Sequence, residues 1–471
     1  MRWLLSILLL GLLGAVNALS SSGNRLLVVL SDLAEKDSFS QFFGDLEDRG
    51  YTLSFKSPKE DDLSLFELGE RAYDHLLILP LKAKGLGPSL TSKALVDFIN
   101  AQGNIFLALS GGSPTPNAIS SLLLELDIIL SPDRAPLVVD HFNYDTLSAA
   151  ETHDVLLLPQ PNALRSGLKS YFGGDGVIAL PRAAGQAFGI SSTLIAPVLR
   201  APATAYSIET KEENAPFEDA FPTGSQIALV STMQARNNAR LSVLGSVDSL
   251  KDEWLGATVQ GLDGKQLKTQ NREFARQLTS WTFQETGVLR VGNIEHYPNA
   301  ESEKFAASSN FSGQLNPLYR VKSGVVFTIE LSEYVNDHWA PFETPVDDSV
   351  QLEFTMLSPF YRLNLQPLSR TANSTIYGTN FTVPDQHGIF SFRINYKRPF
   401  LSNIEEKHEV TVRHYAHDEF PRSFTIRGAF PYITGLGSVI VGFIMFVILW
   451  LYSAPAEPLF AKKTTGGKKT Q

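Results

Sequence analysis

Leu26-Leu27-Val28-Val29-Leu30 is followed, after a polar gap, by Ser38-Phe39-Ser40-Gln41-Phe42-Phe43-Gly44-Asp45-Leu46 and, four residues on, by Gly50. The first run has five apolar residues without alternation, the pattern of a strand buried on both faces. In the second, Phe39, Phe42, Phe43 and Leu46 stand at i, i+3, i+4 and i+7, one face of a helix. Ser38 to Gln41 reads as a capping box for that helix, and Gly50 as its stop. A buried strand followed by an amphipathic helix is the opening unit of an α/β sheet.

The same grammar continues. Tyr51 to Phe55, Leu76 to Leu81 and Ile105 to Leu109 read as further strands, with Leu95, Phe98 and Ile99 forming a helical stripe that ends at Gly103. Ile227 to Val230, Leu241 to Val247 and a helix carrying Phe274, Leu278 and Trp281 extend the pattern. An open, mostly parallel sheet with helices on both faces is therefore expected over residues 24–295. After Glu295 the period changes to two. Val350, Leu352, Phe354 and Met356 alternate with polar residues, and so do Phe390, Phe392, Ile394 and Tyr396. Short alternating strands between Pro, Asn and Gly turns predict a β-sandwich of roughly immunoglobulin size over residues 296–428.

The two ends concern the membrane. Residues 1–18 combine Arg2, an apolar stretch from Leu4 to Leu13 and the small-residue pattern Val16-Asn17-Ala18, the make-up of a cleaved signal peptide. Residues 432–452 are almost wholly apolar, and as a helix would span about 31 Å at ~1.5 Å per residue, the thickness of a hydrocarbon core. Tyr432 at one end and Trp450 and Tyr452 at the other suit the interfaces, and Lys462, Lys463, Lys468 and Lys469 suit a cytosolic tail over residues 453–471. A single-pass type I protein with its bulk across the membrane is expected. Lys468 and Lys469 lie fourth and third from the end, the offset of a dilysine retrieval signal, which implies a cytosolic retrieval coat as partner. Ser438 and Gly442 are four apart inside the apolar helix, with Gly435 one turn earlier, and small residues so spaced let a partner helix approach closely.

The 471 residues are 43% hydrophobic and 19% charged, which excludes a disordered chain. Net charge is −9, unsuited to binding nucleic acid through its phosphates. Cysteine is absent, so disulfides, thiolate nucleophiles and sulfur-ligated zinc are excluded. Asn310-Phe311-Ser312, Asn373-Ser374-Thr375 and Asn380-Phe381-Thr382 are N-glycosylation sequons on the exported side. Gly-x-Ser-x-Gly and the P-loop pattern do not occur. Ser110-Gly111-Gly112-Ser113 follows a strand where such sheets often keep an active site, and reads either as an anion-binding turn or as a tight strand-to-helix connection. His414-Tyr415-Ala416-His417-Asp418-Glu419 is the densest set of possible metal ligands, but on a strand its two histidines face opposite sides. No catalytic, cofactor-binding or metal residue is nominated.

The order of signal, α/β region, β region, membrane helix and dilysine tail resembles the beta, wheat-germ-agglutinin-binding subunit family of the eukaryotic oligosaccharyltransferase. The likeness rests on Asn24 to Asp32, Phe354 to Tyr361, Val383-Pro384-Asp385 and above all Val410 to Arg422. It implies a flavodoxin or glutamine-amidotransferase-like sheet without that fold's cysteine nucleophile. It also implies a non-catalytic scaffold of the endoplasmic reticulum membrane, needed for complex assembly and stability, with contact to glycan or acceptor as a further role. The complex moves a preassembled oligosaccharide from dolichyl diphosphate to Asn in Asn-x-Ser/Thr. The resemblance puts the divalent metal and the dolichol-linked donor on a separate multi-spanning catalytic subunit and gives this chain no cofactor. The rival reading is a free-standing membrane-tethered luminal hydrolase or sugar-binding receptor that uses the sheet edge at Ser110 to Ser113.

Overall fold

The structure is a computed structural model and describes residues 19–58, 60, 63–81, 86–87, 89–131, 136–162, 167–189, 192–209, 221–299, 318–416, 419 and 429–453. Two units divide at Arg413. The first holds the α/β region and the sandwich, the second the apolar helix. The proposed signal segment, the Asn310 sequon, His417, Asp418 and the tail with Lys468 and Lys469 lie outside the described residues.

In the α/β region the strands Thr52–Lys56, Arg25–Val29, His75–Ile78, Asn104–Ala108 and Arg240–Leu244 lie side by side and all parallel. Ala228–Gln234 adds antiparallel, followed by Gln186–Phe188 and Ile128–Leu130, with Ile195–Arg200 also on Ala228–Gln234. The parallel strands inside the Thr52–Lys56 edge are buried on both faces because helices cover both. Leu26, Val28 and Phe106 pack under Phe42, Phe43, Phe274 and Trp281, and Leu27, Ile105 and Leu107 pack under Leu95, Phe98 and Leu122. This is the expected doubly wound arrangement. The helix bounds are Ser40–Asp48, Ser92–Asn100, Asn117–Glu125 and Asn271–Thr282.

The first helix starts later than the capping box suggested. Leu33–Phe39 is a 3-10 turn, and the α-helix begins at Ser40 without a side-chain cap of its own. Its orphan N–H groups are satisfied from far along the chain. Asp252 accepts from Ser40 N at 3.2 Å, Gln41 N at 2.9 Å and Ser40 Oγ at 2.6 Å.

The second region is a sandwich of two five-stranded sheets. One runs Thr286–Pro298, Gly324–Val335, Thr375–Thr382, Gln366–Arg370, with His338–Pro341 paired to Gly324–Val335. The other runs Leu318–Arg320, Ile404–Arg413, Gly388–Tyr396, Gln351–Thr355, Pro359–Asn364. The period-two strands send Leu352, Phe354, Phe390, Phe392 and Ile394 inward. There Phe354 and Phe390 stack at 4.7 Å and Phe327 and Phe392 at 5.2 Å. The strand Thr286–Pro298 follows closely on the last α/β helix, runs across position 295 and pairs with Gly324–Val335 from its first residue, so it belongs to the sandwich sheet.

Candidate interaction surfaces

An open α/β sheet offers its carboxyl edge to ligands. Here that edge is covered. Gly111 N donates to Arg182 O at 2.7 Å, Gly112 N to Pro136 O at 3.3 Å, and Ala184 N to Gly245 O at 2.9 Å. A Cβ on Gly111 would lie 2.7 Å from Arg182 O and 2.9 Å from Ala183 O, so the covering chain sits directly on the turn. The hydroxyls of Ser110 and Ser113 are turned back onto Gly111 O and Ser110 O. The cavity between them and Pro80, Ala108 and Ile119 measures about 10 Å³, at most one water. Ser110 to Ser113 is the tight connection, not an anion cradle.

One cluster of buried polar groups lies at the opposite, amino edge, which sequence reasoning passed over. His75, Asn104 and Arg240 open three adjacent parallel strands. His75 Nε2 donates to Gly23 O at 3.0 Å, so its Nδ1 accepts from Asn104 Nδ2 at 3.2 Å. Burial pushes the His75 imidazole down to about 4, keeping it neutral. Asn104 Oδ1 accepts from Arg240 N at 2.9 Å and Gln284 Nε2 at 3.1 Å. Arg49 donates to Glu285 Oε1 at 2.9 Å and Thr279 Oγ1 at 2.8 Å, and Tyr51 Oη donates to Glu285 Oε1 at 2.7 Å. Burial, then the Glu285 charge, raises the Tyr51 phenol.

This edge carries the joint to the sandwich. The fully buried Arg240 guanidinium donates to Trp281 O at 2.6 Å, Thr286 O at 2.7 Å and Gly287 O at 2.7 Å, and lies over the Trp281 ring. Burial pulls it down to about 9. Trp281 Nε1 donates to Phe400 O at 2.8 Å, and a Cβ on Gly287 would stand 2.5 Å from that same oxygen. Gln234 donates to Leu401 O and Asn238 to Asn403 O. Beside the joint runs an open groove of about 1280 Å³, walled by Leu126, Leu194, Leu289, Arg290, Phe400 and Glu405 among others.

The apolar helix is Phe430–Tyr452, two residues longer than predicted, and none of its side chains is buried in the isolated chain. Ser438 Oγ donates to Gly435 O at 2.7 Å, so its hydroxyl is already satisfied within the helix. A Cβ on Gly435 or Gly442 would meet nothing within 4 Å. Asn373 and Asn380 are exposed, the first in a hairpin turn and the second on a strand. The strand Ile404–Arg413 ends before His414, and Ala416 N donates to Glu419 Oε2 at 2.9 Å. Among the described residues no group of three or more His, Asp or Glu gathers as a metal set.

An α/β sheet with a covered carboxyl edge, joined through buried hydrogen bonds to a β-sandwich and followed in sequence by one apolar helix, defines the class of protein. Family models described as the OST48 N-terminal domain and the OST48 middle domain match residues 17–285 and 301–454. The chain belongs to the OST48 family. It is 35% identical, over 89% of its length and 90% of the relative, to the dolichyl-diphosphooligosaccharide--protein glycosyltransferase subunit wbp1 of Schizosaccharomyces pombe. The 48 kDa subunits of the same transferase from Arabidopsis thaliana and Caenorhabditis elegans are 31% and 29% identical, over 95% and 100% of this chain and 98% and 100% of their own.

Proposed function

We propose that the chain is a non-catalytic scaffold subunit of the oligosaccharyltransferase complex, which carries out protein N-glycosylation. The observation that carries this reading is the match along both ectodomain regions and the apolar helix to relatives named as subunits of that transferase. The covered carboxyl edge supports the non-catalytic part, because a crevice of about 10 Å³ holds no acceptor peptide or sugar. The polar side chains of the sheet are engaged in joining its own elements. Transfer, with its metal and lipid-linked donor, belongs to a multi-spanning partner, and glycan or acceptor contact by this chain is restricted to its outer surfaces.

The chain acts as a type I protein of the endoplasmic reticulum, its bulk in the lumen. Residues 1–18 direct export, Phe430–Tyr452 stops it, and Lys468 and Lys469 engage the retrieval coat. Gly435, Ser438 and Gly442 offer a low-relief stripe to partner helices, and Asn310, Asn373 and Asn380 are acceptors for its own glycans. The test is a mild-detergent pull-down from microsomes through a luminal tag, leaving Gln471 as the free C-terminus, followed by mass spectrometry and a peptide glycosylation assay. A stoichiometric, active complex is the expected recovery; the chain alone, or with unrelated cargo, overturns the reading. Replacing Lys468 and Lys469 with Ser is expected to send the protein to the cell surface.

A further inference from the structure

The sandwich has two unlike ends. At one, Phe400, Leu401 and Asn403 are held by the α/β region. At the other, about 30 Å away along the ten-residue strand Ile404–Arg413 at ~3.3 Å per residue, the chain leaves at Arg413. Register locates what surrounds that exit. Ile389 pairs with Thr411, Gly388 with Val412, and Leu318 with Thr411 on the other side. Thr355 pairs with Ser391 and with Pro359, so the turn between Thr355 and Pro359 projects from the same end, and a Cβ on Gly388 would lie 3.0 Å from Met356 Sδ.

This end is apolar and uncovered. Leu357 at the turn is 98% exposed and Ile389 65%, with Phe360 and Leu318 also exposed beside them. Single exposed apolar residues need no explanation, but four around one strand end, one of them almost free of contact, form a patch. The occupant follows from where the chain goes next. Sixteen residues after Arg413 it enters Phe430–Tyr452, which has the length and composition of a membrane span. The apolar phase to which this end of the sandwich is tethered is the bilayer.

We infer that the Met356-Leu357 turn, with Ile389, Phe360 and Leu318, is a membrane-contact tip that inserts into the lipid headgroup and acyl boundary. A turn of this kind behaves as an interfacial anchor, weak by itself and strengthened where the same chain carries a membrane span. It would restrain the sandwich against tilting, and through the Arg240 joint would orient the α/β region as well. The inference rests on the single-pass membrane reading above, not on membership of the complex.

The chain lacks cysteine, so Leu357→Cys or Ile389→Cys can be labelled uniquely with bimane in the full-length protein. The labelled chain is placed in nanodiscs containing either ordinary phosphatidylcholine or lipid brominated high on the acyl chains. Bromolipid is expected to reduce emission at 357 and 389 at least twofold, while aqueous iodide does so little. A control label at Leu68, fully exposed in the α/β region, is expected to show the reverse. Iodide quenching at 357 without bromolipid quenching means the tip stands in water and overturns the inference. Quenching by neither means that protein covers it, which also overturns it. Co-purification with the transferase is read separately, so failure of the subunit reading leaves this measurement interpretable.

Discussion

The α/β region and the β-sandwich solve the same burial problem with different chemistry. The sandwich interior is centred on a stack of aromatic rings, Phe327, Phe354, Phe390 and Phe392, with polar bonds such as Tyr377 Oη to Phe342 O and Tyr396 Oη to Asp348 set around it. The α/β sheet also buries His75, Asn104, Arg240 and Glu285, each with partners that leave little geometric freedom. Buried polar groups that are fully bonded specify an arrangement, because any other leaves them orphaned at a cost of about 1–3 kcal/mol each. The polar chemistry that an enzyme of this architecture would place in its crevice is used here to hold the amino edge and the joint. The sandwich, with generic packing, is left to present surfaces to its surroundings.

The sharpest way to break that contrast is at Arg240. Arg240→Met keeps much of the stem but removes three charge-assisted hydrogen bonds, to the carbonyls of Trp281, Thr286 and Gly287, of which Trp281 O and Gly287 O retain only a backbone partner, Gln284 N and Ser402 N. A loss of at least about 3 kcal/mol in unfolding free energy is expected, with new protease cleavage near Gly287. A large-to-small change wholly within the sandwich, Phe392→Leu, is expected to cost less, about 1–2 kcal/mol, and to leave the joint protected. If both variants unfold the two regions together and equally, the distinction between a specified joint and a generic core is wrong.

Acid tests the amino-edge cluster next. His75 is neutral in the fold with its pKa near 4, against about 6.5 when unfolded. Between those values the unfolded chain binds a proton that the folded chain refuses, so stability is complete above pH 6.5 and falls as pH drops toward 4. The full loss is about 3 kcal/mol at 1.36 kcal/mol per unit. Burial is the main cause, and protonation would also set an Nδ1–H against the Asn104 amide. Denaturant unfolding at pH 7.4 and 4.5 checks this: His75→Gln should start less stable and lose less on acidification. A smaller effect is expected from Asp252→Ala, about 1–2 kcal/mol, through the uncapped helix at Ser40.

How much of this could be read from residues alone follows from the range of the forces. The parallel strands were legible because burial on both faces forces unbroken apolar runs, and the sandwich because burial on one face forces alternation. Asp252 as the cap of a helix at Ser40 was not, since a local capping box looked sufficient and the true acceptor is over two hundred residues away. The strands Pro136–Val139, Val155–Pro159 and Val177–Pro181, which help close the carboxyl edge, are short and pair through remote backbone contacts that no local period records. The amino-edge cluster did leave a trace. His75, Asn104 and Arg240 are each a polar residue at the head of a strand, and strands laid in parallel bring such residues side by side.

The smallest expected effect is at Ser110 and Ser113, and it separates scaffold from enzyme most cleanly. Both hydroxyls bond only backbone carbonyls within their own turn, at 3.2 Å, and face a space too small for a ligand. Removing such half-exposed, locally bonded hydroxyls costs within about 0.5 kcal/mol. The double variant Ser110→Ala/Ser113→Ala is therefore expected to assemble normally and to leave peptide glycosylation by the purified complex within twofold of wild type. By contrast Gly111→Ala, which adds one methyl group beneath Arg182 O, should destabilise the region without touching any hydroxyl. A large fall in glycosylation from the serine pair with folding intact would mean that the covering chain opens and that the carboxyl edge is used after all. The reverse order, a structural cost for glycine and none for serine, is what an edge sealed by its own backbone requires.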